Sequence, residues 1–300
     1  MRTVMKLPQR VAMPFLVAGF GAVLAGSSAI AVVVQPTAVA AEASPAVVST
    51  GTSRSVAGVA LGALSIGGIA RPVGVRGPAA ALPLAGIVIA LDPGHDGGLS
   101  AHPEVMGRMA WIGNRWKACY AVGTSTRAGY PEHLFTFLVA SRVKSRLQAL
   151  GATVFVDRPD DAGIGPCVDA RGRFGAKVHA RLTLSIHADG AVSTDHGFFV
   201  MKPGLVPGYT DDIMARSSTL ALAVRRGLLS TGLQVANYYA RNGIISRTDM
   251  GGFNLSDVPV VMVELGNMKN TADAARMTSA AGRDRYAMGL VSGIRFYLGR

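Results

Sequence analysis

The chain has 300 residues, 49% of them hydrophobic and only 16% charged, with 37 glycines and a net charge of +12 from 30 Lys and Arg against 18 Asp and Glu. So apolar a composition excludes a disordered, acidic or coiled-coil protein, and beyond residue 86 the apolar runs are too short and charge-broken for multi-pass membrane architecture. The positive balance suits an anionic partner without choosing among nucleic acid, lipid headgroups and acidic polymers; two cysteines exclude a Cys-rich scaffold and a four-Cys zinc module.

Arg2, Lys6 and Arg10 precede an uncharged stretch from Val11 to Val34, and Ala38-Val39-Ala40 follows. That order of basic, apolar and small residues predicts a secretory signal over residues 1–40. The apolar stretch is also long enough to span a bilayer, so a retained N-terminal anchor is the alternative. Pro14 and the interspersed Gly and Ser favour cleavage. Either way the rest of the chain is expected outside the cytoplasm, in the periplasm or cell wall. Loss of three positive charges and no acid takes the net charge from +12 to +9. Residues 41–85 are Ala, Gly, Val, Ser and Pro almost throughout, without sustained periodicity, and read as a linker. A single folded domain is expected over 86–300, large enough to be a stable monomer.

Within it, strand and helix signals alternate. Ile87 to Leu91 is a continuous apolar run ended by Asp92-Pro93-Gly94, a buried strand with a breaker. Glu132 to Leu150 carries apolar residues near one helical face, with Pro131 before it and Gly151 after it. Strands are predicted at 152–156, 182–186, 197–201 and 258–263, and helices at 168–179, 217–229 and 282–298. This alternation defines an α/β fold, a three-layer sandwich with a mostly parallel sheet and helices on both faces.

The chemistry-bearing residues fall at strand ends. His95 comes just past the first strand, His187 directly after the third and Glu264 directly after the late one. Carboxyl ends of parallel strands share one edge, where sites form, and Glu132 reaches that edge if the loop before its helix folds over it. Each residue alone has an ordinary explanation: a His after a strand is usually a surface or capping group, and Glu132 suits a helix N-terminus through the macrodipole. Glu264 in an apolar setting is harder to dismiss, because an unpaired carboxylate there is costly. Together, two imidazoles and a carboxylate with an open fourth position make a catalytic zinc site. A second carboxylate nearby can move a proton from water to a leaving amine.

Ile89-Ala90-Leu91-Asp92-Pro93-Gly94-His95, Leu184-Ser185-Ile186-His187-Ala188 and Val263-Glu264-Leu265-Gly266-Asn267 resemble the motifs of the zinc-dependent N-acetylmuramoyl-L-alanine amidases, bacterial cell-wall hydrolases with a compact α/β catalytic domain. The resemblance covers about residues 86–300. It implies that His95, Glu132 and His187 are zinc ligands and that Glu264 is the catalytic carboxylate. His133 is the competing neighbour of Glu132, which is preferred because the family pattern has Glu at the head of this helix. The implied reaction is hydrolysis of the amide between N-acetylmuramic acid and L-alanine of peptidoglycan. The alternatives are another exported zinc peptidase cutting within the stem peptide, or a non-catalytic wall-binding protein on the same scaffold.

Two features depart from the family pattern. Asp189 stands where Asn is more usual, and the stretch between His95 and Glu132 is long and carries Trp111, Trp116 and Tyr120. That loop reads equally as a substrate platform or as packing onto its own domain. In an exported protein a Cys119–Cys167 disulfide is the default expectation, with free thiols or a Cys ligand as the competing readings. Zinc-finger spacing, a concentrated basic helix and Gly-rich nucleotide signatures are lacking, so neither nucleic acid nor nucleotide is expected as a partner; membrane association is expected only if the N-terminal segment is retained.

Overall fold

The computed structural model describes residues 81–240 and 242–300. The expected signal or anchor and most of the expected linker lie outside these residues. In chain order the first half comprises β1 (Val88–Pro93), a ribbon of β2 (Met109–Trp111) and β3 (Trp116–Ala118), α1 (Glu132–Ala149), β4 (Thr153–Val156) and α2 (Val168–Lys177). The second half comprises β5 (Thr183–Asp189), β6 (Phe199–Pro203), α3 (Met214–Leu229), β7 (Ile244–Arg247), α4 (Gly251–Asn254), β8 (Val260–Asn267), α5 (Thr271–Thr278) and α6 (Ala280–Leu298). Six strands form one sheet in the order β4-β1-β5-β8-β6-β7. All neighbours in it are parallel except β6 and β8. Among the described residues no helix is long and apolar enough to cross a membrane.

The central strands are apolar because both faces are covered. Alternate residues Ile89 and Leu91, Leu184 and Ile186, and Val261, Val263 and Leu265 join Val139, Val143, Leu220, Val224, Leu290 and Ile294 of α1, α3 and α6 in the main core. On the other face Phe199, Met201, Val260 and Met262 meet Phe253 of α4 in a smaller cluster. Helices α3 and α6 approach so closely that a methyl on Gly227 would overlap Gly289 O and Gly293 N. Glycine there is a requirement of packing. Ahead of residue 86, Leu84 is fully buried in the main core and its N–H donates to Leu150 O at 2.8 Å.

The expected strand at 197–201 is β6, displaced to 199–203 and antiparallel to β8. Gly197 is in a left-handed conformation (φ 92°), and its N–H serves Asp273 Oδ2 rather than a neighbouring strand. The third and late strands are longer than expected, so His187 and Glu264 lie within β5 and β8 and not after them. An apolar run ends at the first polar residue. The backbone ladder does not, because Ala188 and Leu265 still point into the main core. The ribbon β2–β3, the edge strand β7 and the short helices α4 and α5 had no expectation. Of these, α5 is set by Asn270, whose side chain accepts from the N–H groups of Ala272 and Asp273.

Candidate metal centre and active site

His187 and Glu264 are register partners on adjacent strands β5 and β8, on the sheet face away from the main core. His95 follows β1 and adopts φ 64°, a left-handed conformation that costs a non-glycine residue about 1–2 kcal/mol. The surroundings hold it there. Arg158 Nε donates to Pro93 O (3.1 Å), Thr136 Oγ1 to Gly94 O (2.8 Å) and Arg171 to His95 O (3.2 Å), so three successive carbonyls are fixed. Gly94 is needed beside them, because a methyl there would overlap the His187 ring.

Glu132, the first residue of α1, is buried between the two imidazoles. Its Oε2 lies 3.0 Å from His95 Nε2 and accepts from Thr124 N at 2.9 Å. Its Oε1 lies 3.1 Å from His187 Nδ1 and accepts from Ala188 N at 3.0 Å. Burial pushes this carboxyl up in pKa, but the two imidazoles reverse the effect and hold it well below the usual carboxylate range. Burial likewise opposes charge on His95, yet Glu132 outweighs it and raises the His95 pKa.

The donor set fits a metal. One ligand atom from each of His95, Glu132 and His187 lies within 4.8 Å of the others. Donors around a tetrahedral zinc, at bonds of about 2.0–2.1 Å, are about 3.3 Å apart, close to the two His–Glu separations. His95 Nδ1 donates to Ala121 O at 2.8 Å, which leaves Nε2 to face Glu132 as a ligand atom. His133 is directed elsewhere, with Nδ1 2.9 Å from Asp161 Oδ2. Glu264 lines the same cavity, of about 380 Å³, as the three candidate ligands. Its Oε2 is buried without a hydrogen-bond partner among the described residues. Burial, then the negative charges of Glu132 and Asp189, push the Glu264 carboxyl well above its ordinary range.

Three features of the surroundings were not anticipated. Arg171 of α2 bonds Asp92 (2.7 Å), Asp96 (2.7 Å) and Asp157 (3.3 Å), bracketing His95 with charge. Asp92 also accepts from Ser185 Oγ at 2.7 Å, tying β1 to β5. Asp189, the departure from the family pattern, accepts from Tyr238 OH at 2.6 Å. Asp92 and Ser185 lie inside the strand-end motifs, whereas Arg171 carries no signal beyond being an arginine in an amphipathic helix. Cys119 and Cys167 are joined, linking β3 and the loop after it to the N-terminus of α2. Ala121, which accepts from His95, lies two residues past that bridge. Tyr120 enters the cavity wall, while Trp111 and Trp116 pair edge to face on the ribbon and remain exposed.

The N-acetylmuramoyl-L-alanine amidase family model matches residues 89–295, and the chain belongs to that family. An N-acetylmuramoyl-L-alanine amidase of Mycobacterium tuberculosis is 39% identical over 216 residues, covering 72% of this chain and 88% of the relative. The crystal structure of the N-acetylmuramyl-L-alanine amidase of Mycobacterium smegmatis superposes with a TM-score of 0.68 at 38% identity, over 72% of this chain and 98% of the other. The apo enzyme of Mycobacterium abscessus gives the same TM-score, 0.68, at 37% identity, over 72% of this chain and all of the other.

Proposed function

We propose that this protein is a zinc-dependent peptidoglycan amidase that hydrolyses the bond between N-acetylmuramic acid and L-alanine, with His95, Glu132 and His187 as metal ligands and Glu264 as catalytic acid–base. The observation that carries the reading is the His95–Glu132–His187 cluster, its carboxylate buried, with Glu264 directly across the β5–β8 ladder from His187. Zinc, when bound, supplies Lewis acidity toward the amide carbonyl and a lower pKa for the attacking water. The rest falls to the chain. Glu264 takes the proton of that water and delivers it to the departing alanine nitrogen. Arg171 and the disulfide-linked loop hold His95 and Ala121 in place. Export by residues 1–40, a linker over most of 41–85 and a monomeric catalytic domain over 86–300 that also takes in Leu84 complete the proposal. Its support is the charge and hydropathy order of the N-terminus, and a wall substrate demands a location outside the cytoplasm.

The test uses the full-length protein, chelated and then resupplied with zinc, on a defined muramoyl peptide, with products identified by mass spectrometry. Release of a peptide with free N-terminal alanine, only by the zinc-supplied form, is expected. Cleavage inside the peptide would discard the assigned bond, and equal activity after chelation would discard the metal.

A further inference from the structure

Two cations line the cavity that holds the candidate metal centre, Arg171 and Lys117. Arg171 is neutralised by Asp92, Asp96 and Asp157. Lys117 is not. Strand β3 places it half-buried, with Nζ donating to Asp249 O at 2.7 Å and lying 3.8 Å from Met250 Sδ. Among the described residues no carboxylate lies within ion-pair distance of it. The carboxylate of Asp249 is taken by Arg247, at 2.8 and 2.7 Å.

The other acids of the cavity are similarly committed except Glu264, whose Oε2 has no hydrogen-bond partner and which forms no ion pair with Lys117 among the described residues. Glu132 serves the two imidazoles, Asp92 and Asp96 serve Arg171, and Asp189 accepts from Tyr238. An ammonium drawn partly out of water without a counter-ion costs stability. The same withdrawal makes a charged hydrogen bond donated by the ammonium to an incoming anion stronger than it would be in solvent. The cation is also held in place, because Cys119, two residues on, is bonded to Cys167 at the head of α2.

We propose that Lys117 is a specificity-determining residue that binds a carboxylate of the peptide leaving the cavity, so that acidic stem peptides are favoured over their amides. This rests on the amidase reading given above. A stem peptide offers such a carboxylate at an acidic residue following alanine or at its own C-terminus, and one chemistry serves both.

Four muramoyl tripeptides of one sequence, with a free acid at the second residue, at the C-terminus, at both or at neither, separate the two sources. With zinc-supplied full-length protein, kcat/KM is measured for each, and the Kd of each corresponding free peptide is measured by calorimetry. The wild type is expected to favour the acid at one position over its amide by roughly ten- to a hundredfold. Lys117→Met reduces that preference to about twofold or less, mainly through KM, and Lys117→Arg retains most of it. Lys117→Gln replaces the Met variant should that one misfold. The position whose discrimination disappears names the source. A wild type that treats all four alike overturns the proposal. So does a Lys117→Met variant weakened equally on all four, which is what a purely structural anchoring of the ribbon would give. Failure of the amidase reading is separate: no peptide is released from any substrate, while calorimetry still scores acid against amide, and equal or undetectable binding overturns the role of Lys117.

Discussion

Under α1, α3 and α6 the sheet presents Ile89, Leu91, Leu184, Ile186, Val261 and Val263, all within one apolar core. On the opposite face, one residue along the same strands, it presents Asp92, Ser185, His187 and Glu264. Strand geometry makes this possible, since successive side chains point to opposite faces. The first face is held by burial and close helix contact. At the site the second is held by charge, Arg171 against three aspartates and Glu132 against two imidazoles, beside the smaller apolar cluster around Phe253. Because the rigid face supports the polar one through shared backbone, the site tolerates a strained His95 and a buried, unpartnered Glu264 oxygen.

The largest effects should come from breaking the polar face at its reacting groups. His187→Ala is expected to lose bound zinc and about a thousandfold or more of turnover. Glu264→Ala should keep the metal and lose about 10²–10⁴-fold. Metal content by elemental analysis beside steady-state rates separates the two, and near-wild-type turnover of Glu264→Ala would sink its assigned role.

Arg171→Met tests the charge framework. Removing the shared counter-ion of Asp92, Asp96 and Asp157 should cost about 3–5 kcal/mol, seen in chemical denaturation, because three buried carboxylates lose their partner. Zinc affinity should fall about 10- to 100-fold as the His95 loop loosens. An unchanged denaturation midpoint would show that the framework is not what holds this face.

Gly227→Ala probes the apolar face alone. Its new methyl would overlap the α6 backbone, so a loss of about 1–3 kcal/mol is expected. Turnover per folded molecule should not change. A matching fall in turnover would show that the two faces are coupled more tightly than their separate construction suggests.

The smallest effect belongs to the Arg247–Asp249 pair near the cavity, where each side chain is 31% exposed. Hydrogen bonding to Arg247 lowers the Asp249 pKa from 3.8 to about 2. A depressed acid stabilises the fold above its unfolded pKa, so this contribution is complete above about pH 4 and is lost as pH falls through about 2. Solvent screening limits it to less than about 1 kcal/mol. Comparing Asp249→Asn with wild type by thermal melts should show a small gap at pH 7 that closes toward pH 2; a gap that widens on acidification would contradict the sign.

Much of this architecture is legible in the residue order alone. The apolar run before Asp92, the histidines after β1 and within β5 and the glutamate of β8 announce a strand edge with metal-ligand chemistry, because strand and site share a local sequence context. Glu132 follows from its place at the head of a well-marked helix and from the family pattern. Strand ends are less legible, since an alternating polar residue such as His187 halts an apolar run without halting the ladder. The ribbon carrying Trp111 and Trp116 is invisible, being two three-residue strands without a hydrophobic pattern of their own.

What the sequence by itself determined is the content of each main strand and helix and the strand-end candidates His95, His187 and Glu264, because periodicity and motif act over a few neighbouring positions. Only the tertiary structure decided that β6 runs against β8, that Glu132 and not His133 enters the cluster, that Arg171 binds Asp92 from 79 residues away, and that Lys117 meets the main-chain oxygen of Asp249, 132 residues on. Those outcomes depend on which elements pack together, and Coulomb and hydrogen-bond energies exist only once packing has brought the partners within a few ångströms and shut out the water between them.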